Sequence, residues 1–171
     1  MAVTVDQSRT ISGREQLVTD LAGYFSKAPE HGQPIILRKP IGRSGKWSVV
    51  VIWDRWFGLP LSERTEIIYE ANDAVRDTFG VDAATATGLT FGEAASLGYL
   101  PYQIQTTLIA SDPVSPSDLR EAMIAEGAAA TSTGLALRFA TEEAAKAAYR
   151  NLQTRVPGPH WMLVEEVVRE S

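Results

Sequence analysis

The chain has no cysteine. That excludes disulfides, thiolate nucleophiles and cysteine metal sites together, and it fits a reducing compartment. Only two histidines are present, His31 and His160. Without cysteine they carry no zinc signature, so no metal is expected. No window approaches 18 consecutive apolar residues, so nothing is expected to span a membrane. The opening segment, MAVTVDQSRTISGRE, lacks the apolar stretch of a signal peptide. A soluble, cytoplasmic protein is the expectation. Lysine and arginine are missing from Asp77 through Leu119. The catalytic and cofactor motifs GxSxG and GxGxxG are missing too. No catalytic residue and no cofactor is assigned, and the chain reads as non-enzymatic.

What is present is an ordinary globular composition with an uneven charge. At 171 residues, 44% apolar and 22% charged, the chain can bury a core without staples. The net charge is −5, which argues against a protein dominated by nucleic-acid binding. Yet residues 35–57, IILRKPIGRSGKWSVVVIWDRWF, hold Arg38, Lys39, Arg43, Lys46 and Arg55 against the single acid Asp54. Three of the four tryptophans, Trp47, Trp53 and Trp56, lie in the same run. A basic, aromatic segment in an acidic chain marks a candidate partner site.

The periodicities give the elements. Ser12 and Glu15 have capping-box spacing ahead of Leu17, Leu21 and Phe25, which predicts a first helix closed by Pro29 and Gly32. Residues 34–39 and 47–56 read as antiparallel strands joined by a turn at 41–45. Val49 to Trp53 is continuously apolar, as in a strand covered on both faces. Ser62 is expected to cap a helix reaching Phe79, with Gly80 following it. That helix carries Glu63, Glu66, Glu70, Asp73 and Asp77 along one edge and Ile67, Ile68, Ala71, Ala74 and Val75 along another. Thr90 and Glu93 cap a short helix ending at Gly98. A strand is expected at 102–110, a helix from Ser115 to near Gly127, and a strand through Leu135, Leu137 and Phe139. An alanine-rich helix over 141–153 and a last strand at 161–168 complete the chain.

The expected fold is α+β, a mixed or antiparallel sheet with helices on one face, ferredoxin-like in spirit. The Ser111-Asp-Pro-Val-Ser-Pro116 turn divides it into 1–111, with the basic hairpin, and a helix–strand–helix–strand half at 112–171. The two halves are expected to share one core; their element order is similar, but they share little beyond that pattern, so duplication is left open.

Gly42-Arg-Ser-Gly45 matches the GxxG loop of KH domains, but there it joins two helices. Strand-like flanks make it a hairpin turn here. Residues 90–104 resemble the first helix and turn of excisionase and MerR-type helix-turn-helix domains, through Thr90, Glu93, Ala94, Ala95, Leu97, Gly98, Pro101 and Ile104. The resemblance implies a recognition helix next. The sequence there, QIQTTLI, reads as a strand, and without a single base it would repel phosphates, so DNA reading by this segment is rejected. Glu142 and Glu143 suit a helix N-terminus. Glu165 and Glu166 alternate across a strand, so neither pair is a converging acid–base dyad.

The candidate partner-binding residues are therefore Arg38, Lys39, Arg43, Lys46 and Trp47 on the hairpin and Glu63, Glu66, Glu70 and Asp73 on the helix edge. The leading reading is a protein-interaction module, self-associating if hairpin and acidic edge meet between copies. A nucleic-acid module using residues 38–47 and an enzyme with a site around His160 are the alternatives. The two charged surfaces could also satisfy each other within one molecule.

Overall fold

The computed structural model describes residues 7–106, 114–131 and 134–166. The fold is α+β, with two sheets rather than one. The chain divides into two compact units, Met1–Thr90 and Phe91–Ser171. The division falls earlier than the turn at 111–116. The reason is the strand before that turn, Tyr102–Thr106, which pairs only with strands of the C-terminal unit. Residues 111–113 of the turn, and 107–110 and 167–168 of the expected strands, lie outside the described residues.

In the first unit, α1 (Gln7–Ser26) precedes β1 (Ile35–Pro40) and β2 (Trp47–Ile52). A single 3₁₀ turn at Asp54–Trp56 leads into α2 (Leu61–Ala74) and β3 (Ala83–Leu89). The sheet order is β1-β2-β3, with β1 antiparallel to β2 and β2 parallel to β3. Leu21 and Phe25 of α1 and Ile67, Ile68 and Ala71 of α2 pack with Val49, Val51, Trp53, Trp56 and Ala86 in one buried cluster. Val49 through Trp53 are all buried, as the unbroken apolar run requires.

Three boundaries differ from the sequence reading. Helix α1 runs through Ser12, which therefore cannot be its cap. Helix α2 starts one residue before Ser62, with Pro60 in the extended N-cap position. It stops at Ala74, leaving Asp77 beyond the helix. Asn72 explains the stop: its side-chain amide donates to the Val81 carbonyl at 2.7 Å and accepts from the Val81 N–H at 3.0 Å. This pair pulls the chain back towards the sheet. Gly80 is required by space, since a Cβ there would sit 2.4 Å from the Arg76 Cα.

Strand β3 was not legible in the sequence, because Ala83-Ala-Thr-Ala-Thr-Gly-Leu89 lacks the bulky residues that mark strands. Small residues are what its neighbours allow. A Cβ on Gly88 would lie 2.7 Å from the Arg64 Cβ and 3.1 Å from the Trp56 ring. Helix α2 also reaches across with polar groups. Tyr69 donates to the Ala84 carbonyl at 3.0 Å, Thr65 to Ala86 at 2.9 Å, and Arg64 to Gly88 at 3.2 Å. The Leu89 carbonyl accepts from the backbone N–H of Trp53, the residue after β2. By strand alternation the carbonyls of Ala84, Ala86 and Gly88 point away from β2, and α2 caps all three.

The second unit contains α3 (Phe91–Ser96), β4 (Tyr102–Thr106), α4 (Pro116–Ala125), β5 (Ala129–Thr131), β6 (Gly134–Phe139), α5 (Glu142–Arg155) and β7 (Trp161–Glu165). From β4 onward the path is βαββαβ, in the sheet order β5-β6-β4-β7 with every pair antiparallel. This is the ferredoxin-like connectivity. Ile104, Leu137, Leu163 and Trp161 meet Leu119, Ala122 and Met123 of α4 and Ala148 and Leu152 of α5 in a second hydrophobic cluster. Each unit thus has its own cluster. The first unit, by contrast, has three strands and one parallel pair, so the two do not repeat one connectivity as a duplication would. Ser115 and Thr141 cap α4 and α5, accepting from Asp118 N–H at 3.2 Å and Ala144 N–H at 3.3 Å; the second helix therefore starts one residue later than its expected first residue, Thr141.

Gly88→Ala is expected to destabilise the protein by about 1–3 kcal/mol, by overpacking against Arg64 and Trp56. Thr65→Val, which keeps the volume and removes one cap, should cost about 1 kcal/mol. Urea unfolding of both variants checks this, and an unchanged midpoint for Gly88→Ala would mean that β3 can withdraw from α2.

Candidate functional site: a basic hairpin tip

The turn between β1 and β2 is tightly closed. Ile41 N–H donates to the Lys46 carbonyl at 2.8 Å, and the Ser44 hydroxyl donates to the Ile41 carbonyl at 2.8 Å. Lys46 N–H donates to the Ser44 hydroxyl at 3.2 Å. Gly42 and Gly45 hold φ of +55° and +75°, which side chains other than glycine rarely adopt. The two glycines therefore serve the turn.

The five cations of the basic run separate into two groups. Lys39, Arg43 and Lys46 are exposed and make no ion pair among the described residues. Trp47 is half-buried at the base of the tip, and its backbone N–H donates to the Asp82 carbonyl at 2.8 Å. Arg38 is half-buried instead. Its guanidinium lies over the Phe25 ring at 5.0 Å and donates one long bond, 3.5 Å, to the Phe25 carbonyl. Its Nε is buried without a hydrogen bond, and burial holds the group below the usual arginine range. Arg55 follows β2 at its other end. It pairs with Asp20 and stacks on Trp53 at 4.7 Å. Trp53 and Trp56 are core residues, edge to face at 5.3 Å, and Trp56 donates to the Val51 carbonyl at 3.0 Å.

The acidic helix edge has a partner, and it is not the hairpin. Arg14 of α1 bridges Glu66, at 3.2 Å, and Glu70. Glu63 is half-buried and Asp73 exposed, and neither pairs with the tip. The sequence reading missed Arg14 because 52 residues separate it from Glu66. It also missed the row Thr65, Tyr69 and Asn72, whose i, i+4, i+7 spacing was the available signal for a polar helix face directed at the protein itself.

The other candidates resolve as follows. His160 is buried in the turn before β7, so it is a core residue and not an open loop base. His31 is exposed in its loop. Glu142 opens α5 and pairs with Lys146 at 2.8 Å. Glu166 pairs with Arg138 at 2.6 Å. Where the helix-turn-helix resemblance implied a recognition helix, the chain forms strand β4. Among the described residues no three histidine or acidic groups come together as a metal site. Two shallow depressions flank α4, of about 510 and 460 Å³. The first is lined by Val114, Asp118, Glu121 and Arg155, the second by Thr106, Leu119, Arg120 and Met123. No family model, no curated protein and no solved structure matches the chain.

The Arg55–Asp20 contact gives a pH prediction. Hydrogen bonds from Arg55 first, and Gln16 second, hold the Asp20 carboxyl below its ordinary 3.8. A depressed folded pKa contributes stability above the unfolded value and loses it as pH falls through the folded one. Wild type should therefore exceed Asp20→Asn in stability at pH 6, with the margin shrinking below about pH 4. Denaturant unfolding at both pH values tests it, and a margin that persists at pH 2 would exclude the pair as its source.

Proposed function

We propose that the protein is a non-enzymatic interaction module that engages an acidic protein partner through the hairpin tip, with Lys39, Arg43 and Lys46 as the contacting cations and Trp47 at its base. The observation that supports this most is the destination of Arg14. Arg14 pairs with Glu66 and Glu70 within α1 and α2, and Lys39, Arg43 and Lys46 make no ion pair among the described residues. The closed turn and the end of β1 hold the backbone that carries these three cations, so the ordering cost on binding falls on the side chains and not on the loop. Their attraction to an acidic surface steers encounter and is screened by salt.

Self-association through the tip and the helix edge is the narrower form of this reading. It would require a second copy's tip to compete with Arg14 for Glu66 and Glu70, or to use Glu63 and Asp73 alone. Single-stranded nucleic acid is the second reading, since the same cations can meet phosphates. The half-burial of Trp47 leaves less of its ring for base stacking, which favours the protein partner.

The test is a titration of the whole chain with poly-L-glutamate and with oligothymidine at low salt. Poly-glutamate should bind, weaken steeply as salt rises, and lose about tenfold or more in affinity with K39E/R43E/K46E. Tighter binding of oligothymidine would transfer the site to nucleic acid. Binding of neither would remove the proposal. Sedimentation in low and high salt addresses the self-association form, which predicts an oligomer that dissociates as salt rises and is lost with R43E/K46E.

A further inference from the structure

We infer that the outer edge of β1 accepts an extended acidic segment of the partner as an added strand, so that the first unit's sheet grows from three strands to four on binding. The inference rests on the tip reading for the charge of the partner and goes beyond it in the mode of recognition.

The two edges of this sheet are treated differently. At β3, the outward carbonyls of Ala84, Ala86 and Gly88 are each capped by an α2 side chain. At β1, nothing among the described residues pairs with the outer side. The register fixes which groups are open. Ile41 N–H donates to the Lys46 carbonyl across the turn, as in a bonded ladder pair. The unbroken antiparallel pairing then places Lys39, Leu37 and Ile35 in bonded pairs with Ser48, Val50 and Ile52. Ile36 and Arg38 therefore direct their N–H and C=O groups outward. An edge of this kind templates strand addition. Pro40 has no N–H, so the ladder ends there, and the added strand is short and centred on Ile36 and Arg38.

Charge selects the occupant. Lys39 and Arg43 follow directly on the open positions and are exposed without counter-ions among the described residues. Arg38 is held by Phe25, over its ring at 5.0 Å and on its carbonyl at 3.5 Å, so the selecting charge is that of Lys39 and Arg43. A basic edge repels a second basic edge, so pairing of β1 with β1 of another copy is disfavoured against a strand carrying carboxylates.

The test uses the whole chain and two end-blocked hexapeptides of alternating glutamate and valine, one of them N-methylated at every amide, so that neither of its edges keeps a ladder donor. N-methylation removes ladder donors and leaves the charge unchanged. The unmodified peptide should bind about tenfold or more tighter than the methylated one, and amide exchange at Ile36 and Arg38 should slow by a similar factor in its complex. Equal binding of the two peptides, or unchanged exchange at Ile36 and Arg38 in a complex that K39E/R43E/K46E abolishes, overturns strand addition and leaves the tip reading standing. Binding of neither peptide also overturns it. The poly-glutamate titration, which needs no strand pairing, judges the tip separately.

Discussion

The first unit depends on the way α2 is bonded along β3. A parallel pair such as β2 and β3 needs a crossover, and the crossover helix must pack back onto the sheet. Here it does so with more than apolar area. Arg64, Thr65 and Tyr69 hold three alternate carbonyls of β3, and Asn72 holds both backbone groups of Val81. Arg64 is buried and also donates to the Leu59 carbonyl at 2.9 Å, so one side chain ties the entry of the helix to the strand at the far end of the crossover. Close approach follows, and with it the small residues of β3. The Arg64 bond to Gly88 is buried and expensive to leave unmade, and with the directional bonds of Thr65, Tyr69 and Asn72 it fixes the register of helix against strand.

The same arrangement decides the electrostatics. With α2 fixed against β3, its acidic edge faces α1, and Arg14 meets Glu66 and Glu70 there. An exposed ion pair of this sort contributes little to stability. Its importance is that it answers which charges are already satisfied. The hairpin keeps Lys39, Arg43 and Lys46 outside that pairing. Arg38 and Arg55, which look equivalent to them in sequence, are taken up by Phe25 and by Asp20 with Trp53.

The long apolar or well-capped elements were legible: the antiparallel hairpin, the buried run Val49–Trp53, the helices started by Ser115 and Thr141, and the strand through Leu135, Leu137 and Phe139. The ferredoxin-like suggestion describes the second unit's connectivity, though not the whole chain's. Strands β3 and β5 were illegible because alanine, threonine and glycine carry neither bulk nor alternation. Their strand state comes from neighbours in space, as Gly88 against Arg64 and Trp56 makes plain. The division at residue 111 rested on a proline-rich turn, whereas β4 is claimed by β6 and β7 through pairings that local composition does not encode. At the candidate site, the sequence singled out the exposed cations along with two that are structural. What separates them is distance in sequence: Arg55 finds Asp20 at 35 residues' separation and Arg38 finds Phe25 at 13.

The capped carbonyls of β3 also set a limit on stoichiometry. A sheet open on both sides can be extended indefinitely, one chain templating the next, which is the geometry of fibrils. A sheet sealed along one side by its own helix has a single valence. On the proposed strand addition, β1 would be the side of this sheet that takes a strand, because α2 holds the outward carbonyls of β3. The Tyr69, Thr65 and Arg64 bonds thus act at the opposite side of the sheet from the hairpin as a stop against open-ended growth.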